Sequence, residues 1–422
     1  MECWAIGIVL LFHTGAVTIL LVIDLSMGSQ RTLQILPLPF YVITIFLASR
    51  HPRQLMTAVS DNIALAFIFA LPIMSTLWSI SPTITLRRAI GLIFSVLLAY
   101  VIATRTTPRQ LLVIVSLAFG SCMLASLLLA AIVPQLAYMP GGHELRGVFN
   151  HKNVLGWMAA ISVLATANLL FDRSARMPGL SLVLLLASLA CLLLSRSGTS
   201  LVVAATAGFF SLIYVLLRRS RGASRIVIML LAILFVLAAA SSIDLFMALV
   251  LDSVDKDPSL TGRVPIWQLV DENIAKRPLL GFGYQAFWTE GNPEAWRIWT
   301  KLAWMAPHSH NGYRDWLLSC GIIGTIPLLV VLARAITRGA WLHWHEPQEG
   351  WLWLNVLICV FIVMNLTETV LLVQNSALFI IFVAAVLMVS APHNRSRVRP
   401  PGVGGRSEQA AGQTIGRSYV PS

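Results

Sequence analysis

Residues 110–133 read QLLVIVSLAFGSCMLASLLLAAIV, and no charged side chain interrupts the run. As an α-helix this stretch is about 36 Å long at about 1.5 Å per residue, enough to cross a hydrocarbon core about 30 Å thick. In lipid every backbone N–H and C=O must be satisfied within the segment, which a helix does. The run reads as a transmembrane helix, and similar runs recur on both sides of it.

Approximate spans fall at residues 4–24, 33–48, 62–80, 86–104, 110–133, 154–171, 178–194, 199–217, 225–243, 316–335, 351–366 and 369–389. The expected fold is an all-α polytopic membrane protein with about twelve transmembrane helices and one large loop between helices nine and ten. Composition points the same way: of 422 residues, 57% are hydrophobic and 11% charged, against roughly 25% charged in soluble domains.

Lys and Arg number 30 against 18 Asp and Glu, a net charge of +12. In a membrane protein such an excess reflects positive cytoplasmic loops more often than a nucleic-acid partner. With both termini cytoplasmic, the inner loops collect Arg50, Arg53, Arg105, Arg109, Arg173, Arg176, Arg218, Arg219, Arg221, Arg225, Arg334 and Arg338. The first span argues only weakly, because no cation precedes it and Arg31 would lie outside. The expected organisation is helices one to nine in residues 1–243, a large outer loop at 244–315, helices ten to twelve in 316–390, and a tail at 391–422. The tail is rich in Pro, Gly and Arg without apolar periodicity and reads as a disordered cytoplasmic end. The start, MECW, has no basic region or cleavage site of a signal peptide. Five scattered cysteines form no CxxC pattern and read as small core residues.

The chemistry-bearing residues gather at the outer ends of the spans. Arg87 and Arg88 lie at the opening of the fourth span; they read as snorkelling cations or as ligands for an anion. Arg196, in LLLSRSGTSLVV (192–203), stands between two apolar runs. It reads as a structural cation on helix-end carbonyls, or as a guanidinium fork for phosphate oxygens. In ELRGVFNHKNVLGW (144–157), Arg146, His151, Lys152 and Asn153 put donors at a helix start that favours anions. The same loop also reads as an ordinary turn capped by Asn153. Asp255 and Asp257 read as a solvated turn rather than a calcium loop, and Arg263 follows them as a second candidate phosphate ligand.

The stretch APHSHNGYRDW (306–316) closes the outer loop. His308 and His310 raise a metal site, but no third ligand completes a zinc set. A histidine near its ordinary pKa at a wet membrane edge suits proton abstraction from a hydroxyl. The alternative is that His310 and Asn311 merely cap the helix. If the helix starts at residue 310, His310 shares a face with Arg314, and Asn311 with Asp315.

His310-Asn311, nine further residues, then Gly321-x-x-Gly324 resembles the O-antigen ligase and Wzy-type polymerase superfamily. RGVFNHKNVLG (146–156), LSRSGTS (194–200), LTGRVPIW (260–267) and RPLLGFGYQAFW (277–288) look like its exopolysaccharide-polymerase branch in particular. The resemblance implies glycosyl transfer from an undecaprenyl-pyrophosphate-linked oligosaccharide at the periplasmic face of the bacterial inner membrane, with no metal or other cofactor. It makes residues 244–315 a periplasmic loop. It implies that Arg196 and Arg263 bind the pyrophosphate leaving group and that His310 is the general base, with His308 its competitor. Arg87, Arg88, Arg146, His151, Lys152, Asn153, Tyr284 and Asn311 become expected substrate contacts. Tyr284, Trp267 and Trp288 are suited either to stacking on sugars or to packing the loop.

A polymerase, with a chain-length-regulating copolymerase as a partner, is the expected activity. A ligase moving glycan from the same donor to another acceptor needs the same pyrophosphate cradle. A secondary transporter fits less well, because it calls for repeat symmetry and broken helices near mid-membrane.

Overall fold

The structure is a computed structural model that describes residues 2–16, 35–172, 177–241, 263–346 and 350–391. All named elements among these residues are helices, and a single bridge between Tyr138 and Leu145 is the only extended pairing described. Among the described residues five helices are long and apolar enough to cross a membrane: Pro82–Arg105, Pro108–Ile132, Lys152–Phe171, Gly198–Arg219 and Gly312–His345. A sixth candidate is the pair Pro52–Asp61 and Ile63–Leu77, bent by 96°. Each other expected span overlaps a shorter apolar helix, at Glu2–His13, Leu38–Ser49, Pro178–Leu194, Ala223–Leu234, Trp351–Met364 and Ala377–Ser390. The expected tail and residues 242–262 lie outside the described residues.

Ala377–Ser390 is the centre of the bundle, with every side chain from Ala377 to Val389 buried. It packs on Pro82–Arg105, Gly312–His345 and Trp351–Met364. Lys152–Phe171 forms a second nucleus with Pro108–Ile132, Pro178–Leu194 and Gly198–Arg219. Leucines on the outer face of Pro178–Leu194, including Leu182, Leu186 and Leu193, are exposed, as expected where a helix meets lipid.

The expected helix over 369–389 begins only at Ala377. Residues 369–376 are irregular and either buried or half-buried, so their polar groups need protein partners. Asn365 Oδ1 accepts from Val370 N–H and Leu371 N–H, and Ser95 Oγ accepts from Asn375 N–H. The apolar run of sequence is real; side chains from neighbouring helices compete successfully for its backbone.

The described part of the large loop is folded. Arg263–Lys276 and Pro293–Leu302 share an apolar cluster built on Ile266, Val270, Phe287, Ile298 and Trp299. The loop is anchored to the bundle at a break in Gly312–His345. There Gly321 takes φ 61° and ψ −162°, which a helix cannot continue through. Leu318 O and Ser319 O accept from Phe282 N–H (2.6 Å) and Gly283 N–H (3.1 Å). Ile322 N–H and Ile323 N–H donate in turn to Pro278 O (2.8 Å) and Leu279 O (3.3 Å). The loop thus supplies the partners that two helical rungs lack.

Glycine is required on both sides of this contact. A Cβ on Gly321 would stand 2.2 Å from Leu279 O, and one on Gly281 (φ 68°) 2.5 Å from Leu318 O. The second glycine of the 321–324 pair faces Trp316 and Leu71, which leave no space for a side chain. Gly321→Ala is expected to destabilise the folded chain by about 3 kcal/mol, from left-handed strain plus a backbone collision. A thermal unfolding midpoint in detergent equal to that of the unaltered chain would refute this anchor.

Candidate functional site

Asn311 caps the Gly312–His345 helix. Its Oδ1 accepts from Tyr313 N–H and Arg314 N–H, and its Nδ2 donates to Leu366 O (2.9 Å). Asparagine is among the best residues for this post because its short side chain reaches the first free amides. With the helix starting at 312, His310 precedes the cap and has a left-handed φ of 54°. The expected His310–Arg314 pairing across a helical turn therefore does not form. Arg314 instead makes a two-pronged bond to Asp271 (2.8 and 3.0 Å) and lies over the Trp267 ring. Asp315 is equally occupied: it accepts from Ser309 N–H, Trp288 Nε1–H and Thr369 Oγ1–H.

These contacts present His310 to a residue that the sequence reading passed over. Its Nδ1 is 3.5 Å from Glu368 Oε2. The Glu368 residue is 0% exposed, and the His310 side chain is 14% exposed. Both imidazole nitrogens are buried with no hydrogen-bond partner among the described residues. Buried polar atoms are usually paired, so unused capacity on a titratable ring points to function. A carboxylate beside one ring nitrogen orients the imidazole and favours a proton on that side, leaving the other nitrogen to accept one. His308 supports this arrangement through Nδ1, which accepts from His310 N–H (3.2 Å), with its ring 4.3 Å from that of His310. The available signal for Glu368 was an acidic residue caught between two apolar runs.

A second group forms where two helices start side by side. His151, not Asn153, caps Lys152–Phe171, its Nδ1 accepting from Asn153 N–H. Lys152 Nζ reaches Glu144 at 3.3 Å. The Glu144 carboxyl is held below the usual range by its own backbone N–H, with Lys152 and Arg196 adding to the effect against partial burial. Leu145 N–H donates to Leu194 O, which ties this loop to the 195–197 turn. Arg196 is exposed there and, like His310, has a left-handed φ, 48°. Arg146 Nε donates to Leu136 O and so helps to hold the loop.

Arg88, inside the Pro82–Arg105 helix rather than at its opening, donates from Nη1 to Gln285 O (2.5 Å). Arg87 beside it is exposed. Tyr284 is 1% exposed; its N–H donates to Ser75 Oγ and its hydroxyl to Leu372 O. Burial pushes its phenol well above the ordinary range, so it remains a donor. This places Tyr284 as a tie between the loop and the irregular 369–376 segment, with no ring face open to a sugar. Trp267 and Trp288 are likewise engaged, donating from Nε1 to Ser309 O and Asp315 Oδ1. Arg263 begins a helix, and its side chain lies outside what is described.

Residues 182–329 match a family model described as O-antigen ligase. That segment holds Arg196, Arg263, His310 and the Gly321–Gly324 pair. The chain is 32% identical over 282 residues to the exopolysaccharide production protein ExoQ of Rhizobium meliloti (strain 1021). The match covers 64% of this chain and 64% of the relative's length. The segment 182–329 also contains the stretches at 194–200, 260–267 and 277–288. Over these segments the chain resembles the O-antigen ligase family and an exopolysaccharide production protein, and its long apolar helices are those of a membrane protein.

Proposed function

We propose that the protein polymerises undecaprenyl-pyrophosphate-linked oligosaccharide repeat units into exopolysaccharide, at the periplasmic face of the bacterial inner membrane. The observation that carries this reading is the His310–Glu368 pair at 3.5 Å, placed by the capped start of a family helix and backed by a buried carboxylate.

In the proposed step, His310 takes the proton from an acceptor hydroxyl as that oxygen bonds to the anomeric carbon of the donor. The carbon–oxygen bond to pyrophosphate breaks on the opposite face, which inverts the anomeric configuration. The leaving lipid pyrophosphate carries away the electron pair, and guanidinium groups stabilise charge where it develops. Arg196 and Arg263 are assigned that role, with Lys152 and Arg87 as further anion contacts. Asn311 and His308 position the base instead of touching sugar. Arg146 and Arg88 hold loops through the carbonyls they already bind.

The relative's printed association with exopolysaccharide production favours a polymer product for this chain. The description of the family segment favours the second reading, a ligase that moves glycan from the same donor to another acceptor. About twelve crossings, cytoplasmic termini and a copolymerase partner belong to the same proposal. An inside-positive arrangement of arginines supports the orientation.

Reconstitution with a lipid-pyrophosphate oligosaccharide separates the two readings: a ladder of multiples marks a polymerase, and one transfer to a different acceptor marks a ligase. His310→Ala is expected to lower the rate by about 10²–10⁴-fold, the usual worth of a general base. Arg196→Ala is expected to cost about 10²–10³-fold through the leaving group. Full activity of either variant removes that residue from the step. Glu368→Gln keeps shape but removes the charge that orients the ring, and a loss of up to about 10²-fold in kcat is expected from misplacement alone.

Orientation is tested separately with Lys301→Cys, an exposed position in the loop. The native cysteines are buried except for half-buried Cys3. An impermeant maleimide is expected to label the variant in cells with only the outer membrane opened. Labelling that requires lysis of the inner membrane would put the loop on the wrong side.

A further inference from the structure

The three aromatic residues that the sequence offers for sugar stacking are engaged in the fold, yet a fourth stands beside His310 with its surface open. Trp304 is 36% exposed, and its ring centroid lies 6.0 Å from that of His310 at 44°. Its neighbour Met305 is 53% exposed. Among the described residues the Trp304 indole N–H makes no hydrogen bond.

The position of this ring is built, not incidental. Ala303 ends the Pro293–Leu302 helix in a left-handed conformation, φ 56°, and turns the chain back towards the 308–311 stretch. Trp299 Nε1 donates to Ala306 O (2.8 Å), and Ala306 N–H donates to Trp304 O (3.2 Å). Trp299 itself is buried in the loop's apolar cluster. The backbone carrying Trp304 is thus pinned from below while the indole projects at the rim. Tryptophan combines a large apolar face with one donor, which matches the C–H face and hydroxyl edge of a pyranose.

We infer that Trp304 is the platform for the acceptor sugar, stacking on the residue whose hydroxyl is presented to His310. The inference rests on the glycosyl-transfer reading above. It places acceptor recognition on the Ala303–Pro307 turn, apart from the arginines assigned to the donor pyrophosphate. A rigid ring one side chain from the base holds the hydroxyl without spending conformational freedom, which favours a reactive pose.

The test uses the full chain in proteoliposomes, with saturating lipid-pyrophosphate donor and the lipid-free repeat-unit oligosaccharide as a titrated acceptor. Trp304→Ala is expected to raise the acceptor KM by about tenfold, the upper range of an aromatic contact, with the donor KM unchanged. Trp304→Phe restores most of the loss, and Trp304→Leu, apolar but without a π face, does not. An unchanged acceptor KM in Trp304→Ala overturns the platform. Equal rescue by Leu and Phe also overturns it, since that outcome marks an anchor in the lipid interface. His310→Ala run in parallel keeps the two claims apart: its inactivity with a normal Trp304→Ala refutes only the platform, and its activity refutes the reaction on which the platform depends.

Discussion

The Gly312–His345 helix cannot close its own hydrogen bonds at Gly321, and the Pro278–Gly283 loop closes them instead. Four backbone bonds cross this junction, two in each direction. A buried backbone group without a partner costs about 1–3 kcal/mol, so loop and helix break are stable only together. The same loop then delivers Tyr284 to Leu372 and Gln285 to Arg88 and Ser319. Through these ties the large loop is held in register with the bundle, and the approach to Asn311 and His310 is fixed from both sides.

Polar burial around residues 365–369 is the second cost that this arrangement meets. Glu368 sits in a wholly buried position, and its own backbone carbonyl accepts from Gly312 N–H. Burying a carboxylate stabilises a fold only if its partners are well placed. A hydrophobic side chain there would serve packing at least as well. The acid stands beside the His310 imidazole, 3.5 Å from Nδ1.

Much of the fold was legible in the sequence because lipid imposes a simple rule. Runs such as 110–133 and 154–171 lie on helices with ends within a few residues of those expected. The rule failed at 369–376, where an apolar stretch at 370–373 runs into Gln374, Asn375 and Ser376, and where Asn365 and Ser95 capture the amides. The candidate site was legible through misplaced polarity: His310, Asn311, Arg196 and Lys152 stand out against apolar surroundings. Glu368 is an acid between two apolar runs, but nothing local joins it to a histidine 58 positions earlier. His151, extended at φ −146° and ψ 146°, takes the cap that the sequence offered to Asn153.

The sequence by itself determined the helical class, the positions of most apolar helices and the short list of residues able to handle charge and protons. It could do so because hydrophobic length and the cost of stray polar groups are local properties. Only the tertiary structure decided which of those residues meet. It set His310 against Glu368, engaged Tyr284, Trp267 and Trp288 in the scaffold, and left Trp304 open at the rim. Those outcomes depend on the break at Gly321 and on contacts between residues far apart in the chain, and no periodicity encodes such pairings.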